Sequence, residues 1–341
     1  MSTYKKEVGT AVQNFAGDYT GAVEGQLWYN STAGSFQFRS VAATGSWASA
    51  TSLPTAFKTG GYSGTATAGL VFAGSNGPSR VNTTYEYNGS SWTSGGNMNT
   101  SKNYISGCGI QTATLSFGGE AGATGCFGTT YASCTAEQYN GSTWTTTTSA
   151  PYDGGATNMA GTSTSAITAG DARGTPANVL QGLLFNSGSW TAAPNMNTGV
   201  PARSQCGILG TSQSSTIFVG GDNGTSPPFI GNVEEWNGST WAEITDLNTG
   251  RGDPGGAGSV TSGLVFGGKT GGTTYTGVTE SWNGSAWTEE GDLSASRGNS
   301  NGNRGTSTST WAAGGESPGA VTTVEEWTGA GAQLTETITT S

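Results

Sequence analysis

The chain has 341 residues, of which 59 are glycine and 10% are charged, a composition that disfavours long helices and favours short strands joined by tight turns. Twelve basic residues against 22 acidic ones give a net charge of −10. This balance argues against nucleic acid and anionic membranes as partners, because both need a basic surface.

No apolar run approaches the roughly 20 residues that span a bilayer, and residues 1–15 lack the apolar centre of a secretory signal. We therefore expect synthesis in a cytoplasm. Free thiols are then expected for the four cysteines, Cys108, Cys126, Cys134 and Cys206. Cys126 and Cys134 are close enough in sequence to pair if the protein meets oxidising conditions.

The first predicted element is an aromatic β-hairpin at residues 24–40, with the sequence EGQLWYNSTAGSFQFRS around a small polar turn. It is similar to a segment common in tail and other virion structural proteins of bacteriophages, especially marine cyanophages, where it often precedes repeats. The resemblance implies a structural protein that is made in the host cytoplasm and located in the virion.

A repeat dominates the rest of the chain. Its most regular part is aromatic-Asn-Gly-Ser-x-Trp, as at residues 87–92 and 236–241, with the variant FNSGSW at 185–190. Asn-Gly predicts a two-residue hairpin turn, because both positions tolerate positive φ. The anchor tryptophans recur every 45 to 52 residues, at Trp47, Trp92, Trp144, Trp190, Trp241 and Trp287. The last unit, residues 325–334, has Leu334 in place of the tryptophan.

Other features keep phase with the tryptophans. An apolar stretch ending in glycine precedes each anchor from Trp92 onward, and one also precedes Leu334. We interpret these stretches as buried strands near a crowded centre, where a side chain would clash with the next unit. Four of these stretches end in a glycine pair: Gly118, Gly119, Gly220, Gly221, Gly267, Gly268, Gly314 and Gly315. The sixth residue after each tryptophan is apolar, and a basic residue often follows: Lys58, Lys102, Arg203, Arg251 and Arg297.

This combination resembles the kelch repeat over residues 48–341 and implies an all-β, kelch-like β-propeller of four-stranded blades. A β-solenoid would show shorter coils and fewer turn signals per unit. Unit three departs most, since Ala169-Gly170 replaces the glycine pair and no basic residue follows Trp144. We expect six blades, the Trp47 strand completing the last one; the alternative is seven, with residues 1–47 as a degenerate blade. Residues 1–47 are assigned as an N-terminal hairpin segment for virion anchoring, ring closure or both.

The residues of catalysis are scarce. The chain has no histidine, so a Ser-His-Asp or Cys-His arrangement, a zinc site and the copper site of kelch-containing oxidases are not predicted. Carboxylates such as Glu234, Glu235, Glu325 and Glu326 lie in the repeats, where we interpret them as a solvated strand face, and no acid–base pair is singled out among them. We predict no enzyme activity, no cofactor and no metal.

Three other motifs have structural explanations. The Asn-Gly-Ser sequons at Asn88, Asn140, Asn237 and Asn283 are explained by the hairpins. The tripeptide Arg251-Gly252-Asp253 falls where the repeat carries its basic residue, and Asp222-Asn223-Gly224 is interpreted as a turn rather than half of a calcium loop.

The sequence thus predicts a non-enzymatic bacteriophage virion structural protein of the tail, neck or capsid that displays a propeller for contact with other virion proteins, in multiple copies, or with the host surface. Binding usually resides in loops. In the long loops 120–135 and 222–232, Phe127, Tyr131 and Phe229 are candidate contacts. The alternatives are a carbohydrate-binding adhesin for host recognition and, more weakly, a polysaccharide-degrading enzyme. A cellular kelch adaptor would carry a partner domain, and none is visible.

Overall fold

Only strands, and no helix, are found in the parts of the chain that the computed structural model describes, which are residues 12–23, 25–41, 44–122, 132–155, 158–170, 182–197, 206–223, 229–298, 301–302, 305–331 and 333–338. The expected all-β class is confirmed. Within these residues no segment qualifies as a membrane-spanning helix.

The strands are, in chain order, β1 (Gln13–Phe15), β2 (Leu27–Asn30), β3 (Ser35–Val41), β4 (Ser46–Ser49), β5 (Gly61–Thr65), β6 (Ala68–Phe72), β7 (Thr84–Tyr87), β8 (Trp92–Ser94), β9 (Ser106–Ile110), β10 (Ala113–Phe117), β11 (Ala136–Tyr139), β12 (Trp144–Thr146), β13 (Asn158–Gly161), β14 (Ser165–Ala169), β15 (Gly182–Asn186), β16 (Ser189–Ala193), β17 (Gly207–Ser212), β18 (Ser215–Val219), β19 (Val233–Trp236), β20 (Trp241–Ile244), β21 (Gly255–Gly258), β22 (Gly263–Phe266), β23 (Lys269–Gly271), β24 (Thr274–Tyr275), β25 (Thr279–Trp282), β26 (Trp287–Glu289), β27 (Asn301–Gly302), β28 (Ser309–Ala313), β29 (Val324–Thr328) and β30 (Gln333–Ile338).

The chain divides into two compact units. Unit 1 comprises Met1–Gly45 and Thr328–Ser341, and unit 2 comprises Ser46–Trp327. The sequence-based division after residue 47 assigned the C-terminal residues to the repeats. They belong to unit 1 instead, because β30 pairs with β3 and not with a repeat strand.

Unit 1 is built on one four-stranded sheet in the order β1-β2-β3-β30. The predicted hairpin is present as antiparallel β2 and β3, whose last pair is Asn30 with Ser35. The Asn30 side chain holds the turn, since its Oδ1 accepts hydrogen bonds from the backbone nitrogens of Thr32 and Ala33. The alternation of β3 buries Gln37 and Arg39 and leaves Phe36 45% exposed.

Unit 2 contains six four-stranded sheets in its described residues, each antiparallel in the pairs recorded. They are sheet 1 (β5-β6-β7-β8), sheet 2 (β9-β10-β11-β12), sheet 3 (β13-β14-β15-β16), sheet 4 (β17-β18-β19-β20), sheet 5 (β21-β22-β25-β26) and sheet 6 (β27-β28-β29-β4). Sheet 6 takes its fourth strand, β4, from the other end of the chain. The first strand of each sheet contacts that of the next, and β27 of sheet 6 contacts β5 of sheet 1.

Aromatic pairs organise each sheet. The aromatic residue before the turn packs on the anchor tryptophan of the same sheet, as Trp236 does on Trp241, with ring centroids 5.2 Å apart. In sheet 6 the anchor is Trp47, which packs on Trp327 at 5.3 Å. The apolar residue six positions after each anchor is buried: Leu53, Met98, Ala150, Met196, Leu247 and Leu293.

The anchor indoles also connect neighbouring sheets. Four of them donate a hydrogen bond of 2.8 to 3.0 Å to the carbonyl four residues after the preceding anchor: Trp92 to Thr51, Trp190 to Thr148, Trp241 to Pro194 and Trp287 to Thr245. The other two donate to a threonine hydroxyl on the third strand of the preceding sheet: Trp144 to Thr84 and Trp47 to Thr279. In the other four sheets this strand position holds a residue without a hydroxyl, so the carbonyl is used.

The prediction of a two-residue turn is wrong for the Asn-Gly units. Tyr87 pairs with Trp92, which leaves a four-residue turn in which only Gly89 has positive φ. Asn88 contributes through its side chain, because its Oδ1 accepts hydrogen bonds from the backbone nitrogens of the third and fourth turn residues. A two-residue turn occurs in the FNSGSW variant, where Ser187 and Gly188 both have positive φ.

The glycine-ended strands lie against the start of the following sheet. An ideal Cβ at Gly220 would lie 2.5 Å from the carbonyl oxygen of Arg251, and one at Gly314 would lie 2.4 Å from that of Phe57. Both glycines also have φ near 63°. A side chain at either position would therefore collide with backbone and strain the chain.

Candidate functional site

The antiparallel order of each sheet fixes where its connections lie. The link from the second to the third strand and the link from the fourth strand to the next sheet share one end of the sheet, which we call the connection end. Isolated bridges join the two kinds of link, for example Asn103 with Glu120 and Gly252 with Lys269. Most charged side chains described below lie at this end.

Buried ion pairs lie beneath the connection end. Arg251 is 2.6 Å from Glu280, and Arg297 is 2.6 Å from Glu325. Lys102 and Glu137 form the corresponding pair at 4.0 Å. Each cation stands ten positions after an anchor tryptophan, and each glutamate stands at the second position of a third strand. All six side chains are at most 2% exposed.

The prediction of a solvated face is therefore wrong for the first glutamate of each Glu-Glu run. Glu234 and Glu325 are both fully buried. Glu325 accepts from Arg297 and from the backbone nitrogen of Ser294. Burial of a carboxylate is tolerated because these charged and backbone donors replace water.

The charged positions change together between sheets. In sheet 1 the position ten after Trp47 holds Phe57, not Lys58, and its glutamate partner is replaced by Tyr85. In sheet 3 the two positions hold Gly154 and Leu183. The basic residue that the third repeat lacks is thus matched by a missing glutamate in sheet 3, which avoids an unpaired buried charge. Arg203 lies outside the described residues.

The Arg-Gly-Asp tripeptide is buried. Arg251 is fully inaccessible and Asp253 is 5% exposed. Arg251 also donates to the carbonyl of Val278, so its guanidinium is committed to sheet 5. An adhesion receptor could recognise this tripeptide only if its side chains were accessible, and the side chains of Arg251 and Asp253 are buried.

Above the buried pairs, four charged side chains from sheets 1, 5 and 6 form a network. Lys58 Nζ lies 2.5 Å from Glu316 Oε1, and Lys269 Nζ lies 3.0 Å from Glu316 Oε2 and 3.0 Å from Asp253 Oδ2. Lys269 also lies 5.5 Å from the ring centroid of Tyr275. The network therefore joins two lysines with two carboxyl groups, and burial raises the pKa of Asp253 despite the opposing charge of Lys269.

Lys269 and Glu316 stabilise each other's charged form. Burial opposes charge on both Lys269 and Glu316. For Lys269 the carboxylates of Asp253 and Glu316 outweigh burial and raise its pKa. For Glu316 the hydrogen bonds from the two lysines outweigh burial and lower its pKa. Both groups are consequently ionised near neutral pH, and neither has the pKa near 7 of a general acid or base.

A second set of contacts centres on Arg80 in sheet 1. Its Nε donates to Asn103 Oδ1 at 2.9 Å and its Nη2 to Glu120 Oε2 at 3.1 Å. The Arg80 side chain is 31% exposed, and the glutamate is 5% exposed. The arginine thus joins the connection ends of sheets 1 and 2 from the surface.

Three residues of the connection end have left-handed backbone conformations: Thr59 with φ 56°, Tyr104 with φ 52° and Asp253 with φ 56°. Each lies two positions after the place that holds Phe57, Lys102 or Arg251. Such conformations are disfavoured for non-glycine residues and persist where neighbouring contacts enforce them. The repeat of the feature indicates one backbone path shared by these links.

The predicted contact residues separate into two groups. Phe127 and Tyr131 lie outside the described residues, as do the loop positions 123–131. Phe229 is half-buried, and its ring packs over Gly252, where an ideal Cβ would lie 2.4 Å from Cδ1. Part of its surface is therefore used for packing.

The cysteines differ in state. Cys108 and Cys206 are free and buried. Cys134 forms a disulfide, in contrast to the expected free thiol, and Cys126 lies outside the described residues. No group of three potential metal ligands is found among the described residues.

No protein-family model matches the chain, and no curated protein matches it by sequence. Among solved structures, that of YjhT is similar with a TM-score of 0.68 and 15% identity, covering 81% of this chain and 95% of YjhT. At this identity the likeness shows the fold alone. The chain therefore has an all-β fold of the β-propeller type, built from four-stranded antiparallel sheets.

Proposed function

We propose that the protein is a non-enzymatic structural component of a bacteriophage virion. In this proposal unit 1 mounts the chain on the tail, neck or capsid, and unit 2 is a rigid six-bladed propeller whose connection end is displayed. The observation that carries it is the division of the chain into unit 1, whose β2–β3 hairpin resembles in sequence a segment of virion structural proteins, and unit 2, which holds the repeats.

Six blades are supported by three contacts. First strands touch in succession from β5 to β27, and β27 touches β5. Trp47 packs on Trp327 as an anchor does in every other sheet, and its indole bonds to the preceding sheet at Thr279. A closed arrangement would protect strand edges that otherwise invite aggregation. Under the seven-blade alternative Trp47 would belong to a separate blade.

A display role is supported by how the charges of unit 2 are used. Every described cation of this unit lies within 4.0 Å of a carboxylate: Lys58, Arg80, Lys102, Arg251, Lys269 and Arg297. The cations stabilise links between strands and sheets, and they are not held ready for a reaction. Ile110 is the one exposed large hydrophobic residue among the described residues of unit 2, and a surface with so little exposed apolar area suits polar contacts with proteins.

Host-glycan binding is the second candidate. Tyr104 and Tyr275 are half-buried at the connection end. Tyr104 follows Asn103, which accepts from Arg80, and the ring centroid of Tyr275 lies 5.5 Å from Lys269 Nζ. Partly exposed tyrosines beside hydrogen-bonding groups suit the apolar and polar faces of a sugar. A glycan array probed with the wild type and with Tyr104→Ala tests this: loss of a defined signal supports an adhesin, and no signal for either favours passive decoration.

The mounting role is tested by complementation. A phage lacking the gene is supplied with the full chain or with a chain lacking residues 1–40, and purified particles are probed with an antibody to unit 2. The proposal expects the full chain in particles and the truncated chain, still rich in β structure by circular dichroism, absent from them. Normal incorporation of the truncated chain would refute the mount.

A further inference from the structure

Arg39 of unit 1 differs from every other described cation. Six described cations have a carboxylate within 4.0 Å, all of them in unit 2. Arg39 has no carboxylate within 4.0 Å among the described residues, and it is buried, with 9% of its surface exposed. A buried charge without a counter-charge is costly, so an unpaired buried arginine requires a reason.

The neighbours of Arg39 are neutral. Its Nη1 donates to Thr335 Oγ1 at 2.9 Å, and its Nη2 donates to the carbonyl of Tyr19 at 3.1 Å. Its Cζ lies 5.7 Å from the ring centroid of Trp28, a cation–π contact. These contacts orient the guanidinium, and none of the described residues supplies a counter-charge.

Two buried donors in this place also lack acceptors. Neither Arg39 Nε nor the indole Nε1 of Trp28 makes a hydrogen bond. An unused Nε occurs in Arg251 and Arg297 as well, but each of those arginines has a carboxylate at 2.6 Å. The combination of an uncompensated cation with a neighbouring unused N–H is therefore found, among the described residues, at Arg39.

We propose that Arg39 and Trp28 form an oxyanion site in unit 1 whose ligand is a carboxylate. A guanidinium matches the planar geometry of a carboxylate, and the indole N–H supplies a further donor. A single cation suits a singly charged ligand, and the net charge of −10 disfavours a polyanion. Trp28 is fully buried and Arg39 is 9% exposed, so a ligand reaches both donors only when neighbouring side chains of unit 1 move.

The carboxylate has two possible sources, a free small acid or an acidic side chain of a protein partner. The site itself does not depend on the proposed virion role, because it follows from the uncompensated charge. Binding of either source to the isolated full chain tests the site, and incorporation into particles tests the mount separately.

The experiment is an NMR titration of the ¹⁵N-labelled full chain, observing the Nε–H of Arg39 and the indole N–H of Trp28. These resonances are assigned by their loss in Arg39→Met and Trp28→Phe. The probes are acetate, an acidic tetraglutamate peptide and its glutamine counterpart, at fixed pH and ionic strength.

The proposal expects both resonances to shift along one saturable curve, and Arg39→Met to weaken binding at least about tenfold, the loss expected for a charged hydrogen bond. Trp28→Phe keeps the aromatic packing and should weaken binding less. Arg80→Gln, which alters a paired arginine of unit 2, should bind as the wild type does. Saturation by acetate and peptide alike assigns a free acid, and markedly tighter peptide binding assigns a protein side chain. The site would be overturned if no probe gives a saturable shift. It would also be overturned if Arg39→Met, followed by the Trp28 resonance, binds as tightly as the wild type.

Discussion

The indole nitrogen of Trp47 donates a 3.0 Å hydrogen bond to the hydroxyl of Thr279, 232 positions along the chain. Trp47 also packs edge-on against Phe266 of sheet 5, with ring centroids 4.8 Å apart. It thereby occupies in sheet 6 the place that an anchor tryptophan occupies in the other five. The first and last repeat segments are joined through this residue.

Trp47→Ala should accordingly destabilise unit 2 by about 3 kcal/mol, because truncation of a packed tryptophan removes apolar contacts and leaves a cavity. Trp47→Phe retains most of the packing and loses the hydrogen bond, so it should cost about 1 kcal/mol. Urea unfolding followed by tryptophan fluorescence measures both. If Trp47→Ala matches the wild type, Trp47 has no anchoring role.

Arg251→Met should cost about 3 to 5 kcal/mol, because it leaves the carboxylate of Glu280 buried without its partner. The double variant Arg251→Phe with Glu280→Tyr copies the Phe57 and Tyr85 arrangement of sheet 1 and should recover part of the loss. A double-mutant cycle in urea gives the coupling between the positions. Additive effects would show that the two side chains do not act as a pair.

The free energy of unfolding of unit 2 should rise with pH above about 8, because of Lys102 in sheet 2. Burial lowers the pKa of Lys102 to about 8 from 10.5, despite the opposing charge of Glu137. Between these values the unfolded chain binds more protons than the folded one, so raising pH favours folding. Across the interval between the two pKa values, the free energy of unfolding should increase by about 3 kcal/mol.

The control for this pH effect is Lys102→Arg, which stays protonated throughout and should abolish the rise. Urea midpoints between pH 7 and 10.5 compare the two proteins. A wild type that loses stability across this range relative to Lys102→Arg would contradict the assigned direction of the pKa shift.

Gly284→Ala should destabilise unit 2 by about 1 to 2 kcal/mol, since Gly284 has φ 96° in an Asn-Gly-Ser-x turn. Asn283→Ala should cost about 1 kcal/mol, because it removes the acceptor for the nitrogens of Ser285 and Ala286. Asn283→Asp keeps that acceptor and should be nearly neutral. Thermal melts distinguish the three, and equal losses for Ala and Asp at position 283 would refute the role of the side-chain oxygen.

The sequence predicted much of the architecture because its signals are local and repeated. Anchor tryptophans, glycine-ended strands and apolar positions such as Leu53 follow from packing that recurs in every sheet. The partner of Arg251 could not be predicted from periodicity alone, since an alternating strand does not reveal which glutamate faces a buried cation. Comparing units offered that signal: where the basic residue is missing, at Gly154, the glutamate is missing too, at Leu183.

The pairing of β30 with β3 and the uncompensated charge of Arg39 were not predicted. Both depend on contacts between residues almost 300 positions apart, as between Arg39 and Thr335. The turn geometry was mispredicted because Asn-Gly is compatible with two loop lengths. The register of Tyr87 with Trp92 selects the longer one.

Electron cryomicroscopy of purified virions, at a resolution that separates strands, tests the central claim most directly. The account predicts density for this chain in the particle, with six four-stranded sheets around one axis and the Trp47 strand beside Val324–Thr328. A ring of seven sheets, an open rod of hairpins, or particles without this chain would contradict it.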